Sequence, residues 1–109
     1  MRAAIYARYS SDLQSEASIE DQVRQCRKRI EGEGWQETDV YADHSISGAS
    51  TLRPGYQKML EDARGGAFNV LVAEALDRLS RDQEDIAGLY KRLSFSGIKL
   101  ITFGQRRDR

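Results

Sequence analysis

Several features that mark common protein classes are scarce or missing in this chain of 109 residues. Its one cysteine, Cys26, cannot form an internal disulfide, so a reducing compartment, the cytoplasm, is the expected location. No apolar stretch approaches the ~20 residues that cross a bilayer, and the start MRAAIYARYSS is too short and polar for a secretory signal. With a single proline and an ordinary apolar content, the composition favours one soluble globular domain over residues 1–109, without a membrane partner.

The usual parts of several enzyme classes are also absent. His44 is the one histidine, and no Gly-x-Ser-x-Gly segment occurs, which argues against a histidine-activated serine hydrolase. No group of Cys, His and Asp residues has metal-ligand spacing, and no glycine-rich phosphate loop is present. We therefore expect neither a metal nor a nucleotide cofactor.

The charged residues balance, with 17 basic and 17 acidic side chains. A neutral domain is not expected to coat DNA with its whole surface, because such surfaces carry a strong basic excess. Arginine nevertheless outnumbers lysine by 13 to 4, and arginine is the better residue for bidentate phosphate contacts. A GC-rich genome is the simpler explanation of this bias when composition is considered alone.

Hydrophobic periodicity predicts alternating strands and helices. The predicted strands cover residues 2–10, 38–44, 68–75 and 98–103, and the predicted helices cover 18–34, 54–66 and 80–97. In the third helix Ile86, Leu89, Tyr90 and Leu93 are expected to face inward. Right-handed crossovers then give an α/β fold with a mostly parallel four-stranded sheet and helices on both faces.

Polar residues gather where the predicted strands end. Tyr6, Arg8 and Ser10 alternate along the first strand and are expected to share one side of it. The polar loop 45–52 follows the second strand, and Asp77 and Arg78 follow the third. Function in parallel α/β sheets collects beyond the carboxyl ends of the strands, so these residues are candidates for one site.

The segment LDRLSR, residues 76–81, precedes the third helix. Ser80 and Gln83 have capping-box spacing, which predicts a helix beginning at Arg81 and places Asp77 and Arg78 on the preceding turn. A cation at a helix amino terminus opposes the helix dipole, so Arg81 indicates a nearby anion. That anion is either a bound phosphate or Asp77 itself in a plain salt bridge.

Four motifs in order give the chain a family resemblance. They are Tyr6-x-Arg8-x-Ser10, SIEDQ ending at Gln22, SGASTLRPG containing Arg53, and LDRLSRD. Together they resemble the catalytic domain of serine recombinases, the resolvase/invertase family, over about residues 3–103. The segments SIEDQ with the following Cys26, RPG and LDRLSRD are most similar to those of the large serine recombinases of phages and transposons.

The resemblance implies site-specific DNA recombination without metal or ATP. Ser10 would attack a DNA phosphodiester and form a 5′-phosphoserine link, within a tetramer that exchanges and reseals the strands. The residues implied to bind the phosphate are Arg8, Arg53, Arg78 and Arg81. Asp77 would orient these arginines or protonate the leaving oxygen, and Tyr6 and Gln22 would support the site.

Family members continue beyond this domain into a long pairing helix and a DNA-binding domain. The resemblance therefore implies that DNA and further copies of the full-length protein are the partners, mainly through that carboxyl-terminal part. We expect residues 1–109 to be inactive alone and monomeric or weakly dimeric. A catalytically silent module that docks on recombinase subunits is the alternative.

Overall fold

The computed structural model describes residues 1–10, 18–45, 53–80 and 82–102. Within these ranges the chain forms strands β1 (Arg2–Ser10), β2 (Gln36–Ser45), β3 (Val70–Ala73) and β4 (Lys99–Thr102). The helices in the same ranges are α1 (Ile19–Glu33), α2 (Pro54–Arg64), α3 (Leu76–Leu79) and α4 (Gln83–Phe95). The strands lie in the order β2-β1-β3-β4, and every neighbouring pair is parallel. The predicted parallel α/β fold is confirmed.

Helix α1 covers one face of the sheet. It begins after Ser18, whose hydroxyl accepts a hydrogen bond from the Asp21 backbone N–H at 3.1 Å. It ends at Gly34, whose φ of 76° is the left-handed conformation that glycine adopts without strain. Its apolar face packs on alternate β1 residues and on β3, in a core cluster of Ala3, Ile5, Ala7, Val23, Cys26, Ile30, Val70 and Val72.

The opposite face of the sheet is covered by α2 and α4. Met59 and Ala63 of α2 and Leu89 and Leu93 of α4 are buried against it. All four residues of β3 are buried, as the apolar run predicted for a strand covered on both faces. Tyr90 is a correction, because its side chain was expected inward and is 46% exposed.

The segment between β3 and α4 differs from the prediction. Residues 76–79 form the separate one-turn helix α3, so Asp77 and Arg78 lie in a helix rather than on a turn. The next helix begins at Gln83 and not at Arg81, because Asp82 is the N-cap and accepts from the Glu84 N–H at 3.0 Å. The predicted capping box is therefore wrong.

The Ser80 hydroxyl is engaged elsewhere than in a capping box. It accepts from the Asp82 backbone N–H at 3.1 Å and donates to the Asp85 carboxylate at 3.2 Å. Leu79 is fully buried, which favours a compact turn of helix in this segment over an open loop. Among the helices that the structure describes, none is long and apolar enough to cross a membrane.

Candidate active site at the carboxyl ends of the strands

The candidate site lies where the winding of the sheet reverses. From β1 the chain moves outward to β2, then returns to β3 on the other side of β1 before continuing to β4. The carboxyl ends of β1 and β3 therefore lie side by side at the topological switch point, where parallel sheets bind ligands. This neighbourhood brings Arg8 of β1 close to Arg78, which follows β3.

The end of β1 is held by Gln22 of α1. Pairing between β1 and β3 stops at Tyr6 and Ala73. Two residues later the Arg8 backbone N–H donates to the Gln22 side-chain oxygen at 3.1 Å, and the Gln22 amide donates to the Arg8 carbonyl at 2.9 Å. Gln22 is fully buried, so its amide satisfies the Arg8 backbone where pairing with β3 has ended, while β2 still pairs with this part of β1.

The Arg8 side chain reaches across to α3. Its Nε donates to the main-chain carbonyl oxygen of Arg78 at 3.1 Å. The Nη2 of Arg53 donates to the same oxygen at 3.3 Å. The guanidinium groups from two distant segments thus converge on one carbonyl.

Arg53 precedes α2 and lies against two aromatic rings. Its guanidinium carbon is 4.0 Å from the Tyr56 ring centroid and 5.5 Å from that of Tyr6, both within cation–π range. Its Nη2 also donates to the Tyr6 hydroxyl at 3.0 Å. Its Nε is buried and, within the described ranges, has no hydrogen-bond partner.

Asp43 of β2 connects Tyr6 to the start of α2, and it was not predicted as a site residue. This buried carboxylate accepts from the Tyr6 hydroxyl at 2.6 Å and from the backbone N–H groups of Gly55 and Tyr56 at 2.8 and 2.9 Å. Burial, and then the bond to Asp43, raise the pKa of Tyr6 above its ordinary value, although Arg53 acts in the opposite direction. Tyr6 therefore stays a phenol and a donor.

Gly55 allows α2 to approach β2 this closely. A Cβ atom at Gly55 would lie 2.7 Å from the Ala42 carbonyl oxygen and 3.0 Å from the Asp43 carboxylate. A side chain there would push α2, and Arg53 with it, away from Tyr6. Asp43 lies near the end of the predicted second strand, and the sequence gives no local signal of its contact with Gly55, twelve residues later.

Arg78 is buried and is held by Glu74, the second site residue that was not predicted. Its Nε and Nη2 donate to one oxygen of the Glu74 carboxylate, at 3.0 and 2.9 Å. Glu74 is the first residue after β3, and Arg78 lies four residues further along, in α3.

Five of the eight predicted site residues are brought together by the structure, namely Tyr6, Arg8, Gln22, Arg53 and Arg78. The backbone of Ser10 ends β1, two residues beyond Arg8, and pairs with Ser45. The side chains of Ser10 and Asp77, the whole of Arg81 and loop residues 46–52 lie outside the described part of the chain. The roles predicted for them remain predictions.

The formal charges of the side chains described at the site sum to a positive value. Three guanidiniums, from Arg8, Arg53 and Arg78, face two carboxylates, from Asp43 and Glu74. The resulting excess of one positive charge suits a singly charged anion such as a phosphodiester. No group of acidic, histidine or cysteine side chains that could hold a metal ion occurs in the described ranges.

The chain matches the family model for the resolvase N-terminal domain over residues 3–109. It is 36% identical over 95 residues to the transposon Tn552 DNA-invertase BinR of Staphylococcus aureus, covering 85% of this chain and 42% of that protein. It is 37% identical over 93 residues to the Tn552 resolvase of the same organism, covering 85% and 41%. The chain therefore spans less than half the length of these relatives.

Solved structures of catalytic domains also resemble this chain. The N-terminal catalytic domain of TP901-1 integrase superposes with a TM-score of 0.81 and 34% identity, over 94% of this chain and 76% of that one. The C-terminal catalytic domain of ISC1926 TnpA, an IS607-like serine recombinase, gives a TM-score of 0.80 and 28% identity, over 94% and 69%.

Proposed function

This chain belongs to the resolvase N-terminal domain family, and from that membership we infer that it is the catalytic domain of a serine site-specific DNA recombinase. The observation that carries the inference is the convergence of Arg8 and Arg53 on the Arg78 carbonyl, two residues along β1 from Ser10. A cluster of guanidiniums near the strand end that carries a serine suits attack on phosphorus, which requires mainly positioning and charge neutralisation.

We propose a direct ester exchange at Ser10. The serine oxygen attacks the phosphorus and loses its proton, the bond from phosphorus to the 3′ oxygen breaks, and that oxygen takes up a proton. The products are a 5′-phosphoserine link and a free 3′-hydroxyl. One phosphoester replaces another, so the reverse reaction with a new 3′-hydroxyl reseals DNA without ATP.

The arginines supply the charge in this mechanism. Arg8, Arg53, Arg78 and Arg81 bind the non-bridging oxygens of the phosphate, whose negative charge rises in the transition state. Asp77 orients these arginines or protonates the leaving oxygen. Tyr6 and Gln22 position the arginines, because Gln22 hydrogen-bonds to the Arg8 backbone and the Tyr6 hydroxyl accepts a hydrogen bond from Arg53.

DNA and further copies of the full-length protein are the proposed partners. Cutting and rejoining two duplexes requires four strand breaks, hence four serines and a tetramer. The relatives are more than twice as long as the matched region, which leaves room for DNA-binding and pairing segments in such proteins.

The test is covalent capture of DNA. Residues 1–109 would be fused to a helical pairing segment and a DNA-binding domain of known target sequence, then incubated with a nicked target that releases a short strand after cleavage. We expect an adduct whose linkage maps to Ser10. Ser10→Ala should abolish it, whereas Ser94→Ala, on the exposed surface of α4, should not.

The fusion also distinguishes a recombinase catalytic domain from a catalytically silent interaction module. If it binds its target and pairs but forms no adduct, the domain is a catalytically silent interaction module, and recombinase chemistry is rejected. An adduct that persists in Ser10→Ala would reject Ser10 as the nucleophile.

A further inference from the structure

Glu74 has no part in the proposed ester exchange, yet it holds one of its arginines. Its carboxylate accepts both the Nε and the Nη2 of Arg78 on a single oxygen, at 3.0 and 2.9 Å. The two side chains are only 16% and 11% exposed. This pair therefore lies at the edge of the core and not on the open surface.

The pair is unlike the surface ion pairs of helices. Arg29 and Glu33 of α1 have the same spacing but are 39% and 42% exposed, and such pairs contribute little. Glu74 precedes α3, and the residue between them, Ala75, is extended with φ −153° and ψ 160°. Because burying an ion pair costs desolvation energy, its presence here points to a requirement of geometry rather than of stability.

The position of Arg78 determines more than its own side chain. Its carbonyl oxygen is the acceptor for both Arg8 Nε and Arg53 Nη2. Helix α3 is a single turn, and its N-cap residue makes no side-chain hydrogen bond. Glu74 ties the Arg78 side chain back to the end of β3, a strand buried along its whole length.

We propose that Glu74 is a positioning residue for DNA cleavage. It anchors Arg78 and, through the Arg78 carbonyl, sets where the guanidiniums of Arg8 and Arg53 stand. This inference rests on the proposed function, because it assumes that these arginines bind the scissile phosphate. Glu74 also removes one positive charge from the site, so it favours alignment over simple attraction of the anion.

The two effects of Glu74 oppose each other, which gives the proposal a distinctive signature. Glu74→Gln raises the charge of the described site from one positive charge to two, so DNA should bind at least as tightly. The same change loosens the arginines, and misplacement by about 1 Å can slow a reaction by about 100-fold. Binding and rate should therefore separate, whereas general unfolding would weaken both.

The first measurement uses the 109-residue chain labelled with 15N-arginine. Glu74→Gln is expected to shift the NMR signal of the Arg78 Nε–H group. It should also shift the signal of the Arg8 Nε–H group, which donates to the Arg78 carbonyl oxygen. Glu37→Gln is the matched control, since Glu37 accepts two hydrogen bonds from Arg27 beside α1. It should shift the Arg27 signal alone. An Arg8 signal that does not move in Glu74→Gln would overturn the proposed coupling.

The second measurement uses the DNA fusion. Glu74→Gln should bind the nicked target with unchanged or higher affinity and cleave the bound DNA about 100-fold more slowly. Glu74→Asp keeps the charge but is one methylene short, so it should slow cleavage without tightening binding. Wild-type rates in both variants, or a fall in affinity and melting temperature that accounts for the lost cleavage, would overturn the proposal.

The outcomes of the two hypotheses can be told apart. If the wild-type fusion forms no adduct, the proposed function fails and this inference fails with it, whatever the NMR signals do. If the wild-type fusion cleaves and the Glu74 variants cleave equally well, only the role of Glu74 is rejected.

Discussion

The arginines of α1 and those of the candidate site differ in their burial and in their hydrogen-bond partners. On α1, Arg24, Arg27 and Arg29 are 65%, 52% and 39% exposed, and each lies within 3.0 Å of a carboxylate oxygen. Ion pairs of this kind are worth little because solvent screens both charges. They make the helix surface soluble and close to neutral.

At the carboxyl ends of the strands, neutral groups accept some of the hydrogen bonds that the arginines donate. Arg8 donates to a main-chain carbonyl, and Arg53 donates to that carbonyl and to a phenol while lying over two aromatic rings. A carbonyl or an aromatic ring fixes a guanidinium without cancelling its charge. The partners described for Arg8 and Arg53 are neutral, whereas Arg78 of the same site pairs with Glu74, so the comparison applies to two of the three described site arginines.

The strongest test of this comparison replaces one arginine from each setting. In the DNA fusion, Arg8→Ala should slow adduct formation by about 10³–10⁵-fold, the range found for arginines that stabilise a transferring phosphoryl group. Arg27→Ala removes an exposed ion pair and should change the rate by less than about twofold. Similar losses in the two variants would show that burial and partner type do not distinguish the two sets.

A second test changes the backbone that carries Arg53. Gly55→Ala would bring a Cβ atom within 2.7 Å of the Ala42 carbonyl, and we expect a loss of about 2 kcal/mol in the free energy of unfolding. The matched variant is Gly88→Ala in α4, where a Cβ atom meets nothing within 4 Å. It should gain about 0.5–1 kcal/mol from better helix propensity. Urea unfolding of both variants measures the difference, and a neutral Gly55→Ala would mean that α2 shifts freely on β2.

Much of this fold could be predicted from local pattern. The observed β1 has the predicted bounds, and the apolar run that predicts β3 marks a strand covered on both faces. One turn of helix is too short to produce a period, so α3 could not be recognised and the next helix was expected to begin two residues early. Propensity at a helix start also could not decide between Ser80 and Asp82 as the cap.

Three of the predicted arginines, Arg8, Arg53 and Arg78, lie together in the candidate site, whereas the carboxylates of Asp43 and Glu74 were not predicted. Tyr6, Arg8, Gln22, Arg53 and Arg78 belong to the motifs that carry the family resemblance, and the structure brings them together. Asp43 and Glu74 are acidic residues at strand ends, where solvent exposure is the ordinary expectation. The role of Asp43 depends on a partner 37 residues away, which local spacing does not show. Glu74 and Arg78 have the i, i+4 spacing of an ordinary surface ion pair, and spacing does not show that this pair is buried.

A third test compares two hydrogen bonds of the same chemistry. The Tyr6 hydroxyl donates to Asp43 at 2.6 Å in the interior, and the Tyr41 hydroxyl donates to Asp62 at 2.6 Å nearer the surface. Tyr6→Phe leaves a buried carboxylate and Arg53 each without one partner, so we expect a loss of about 1–3 kcal/mol in unfolding free energy. Tyr41→Phe should lose less, because water can reach Asp62. Equal shifts in the urea midpoint would contradict this difference.

The smallest expected effect is a pH dependence of the Tyr41–Asp62 pair. The hydrogen bond from Tyr41, with a lesser contribution from Lys58, holds the pKa of Asp62 below its ordinary value of 3.8. A carboxylate with a depressed pKa stabilises the fold above its ordinary pKa, and that stability is lost as the pH falls through the folded-state value. The gap in urea midpoint between wild type and Tyr41→Phe should therefore be present at pH 7 and shrink below about pH 4.

Asp62→Asn is the control for this titration, because it removes the ionising group and should make the contribution of the pair independent of pH. A gap between wild type and Tyr41→Phe that stays constant from neutral to acid pH would mean that the phenol contributes by packing alone. A gap that closes would place this pair with the ion pairs of α1, whose contribution depends on solvent conditions.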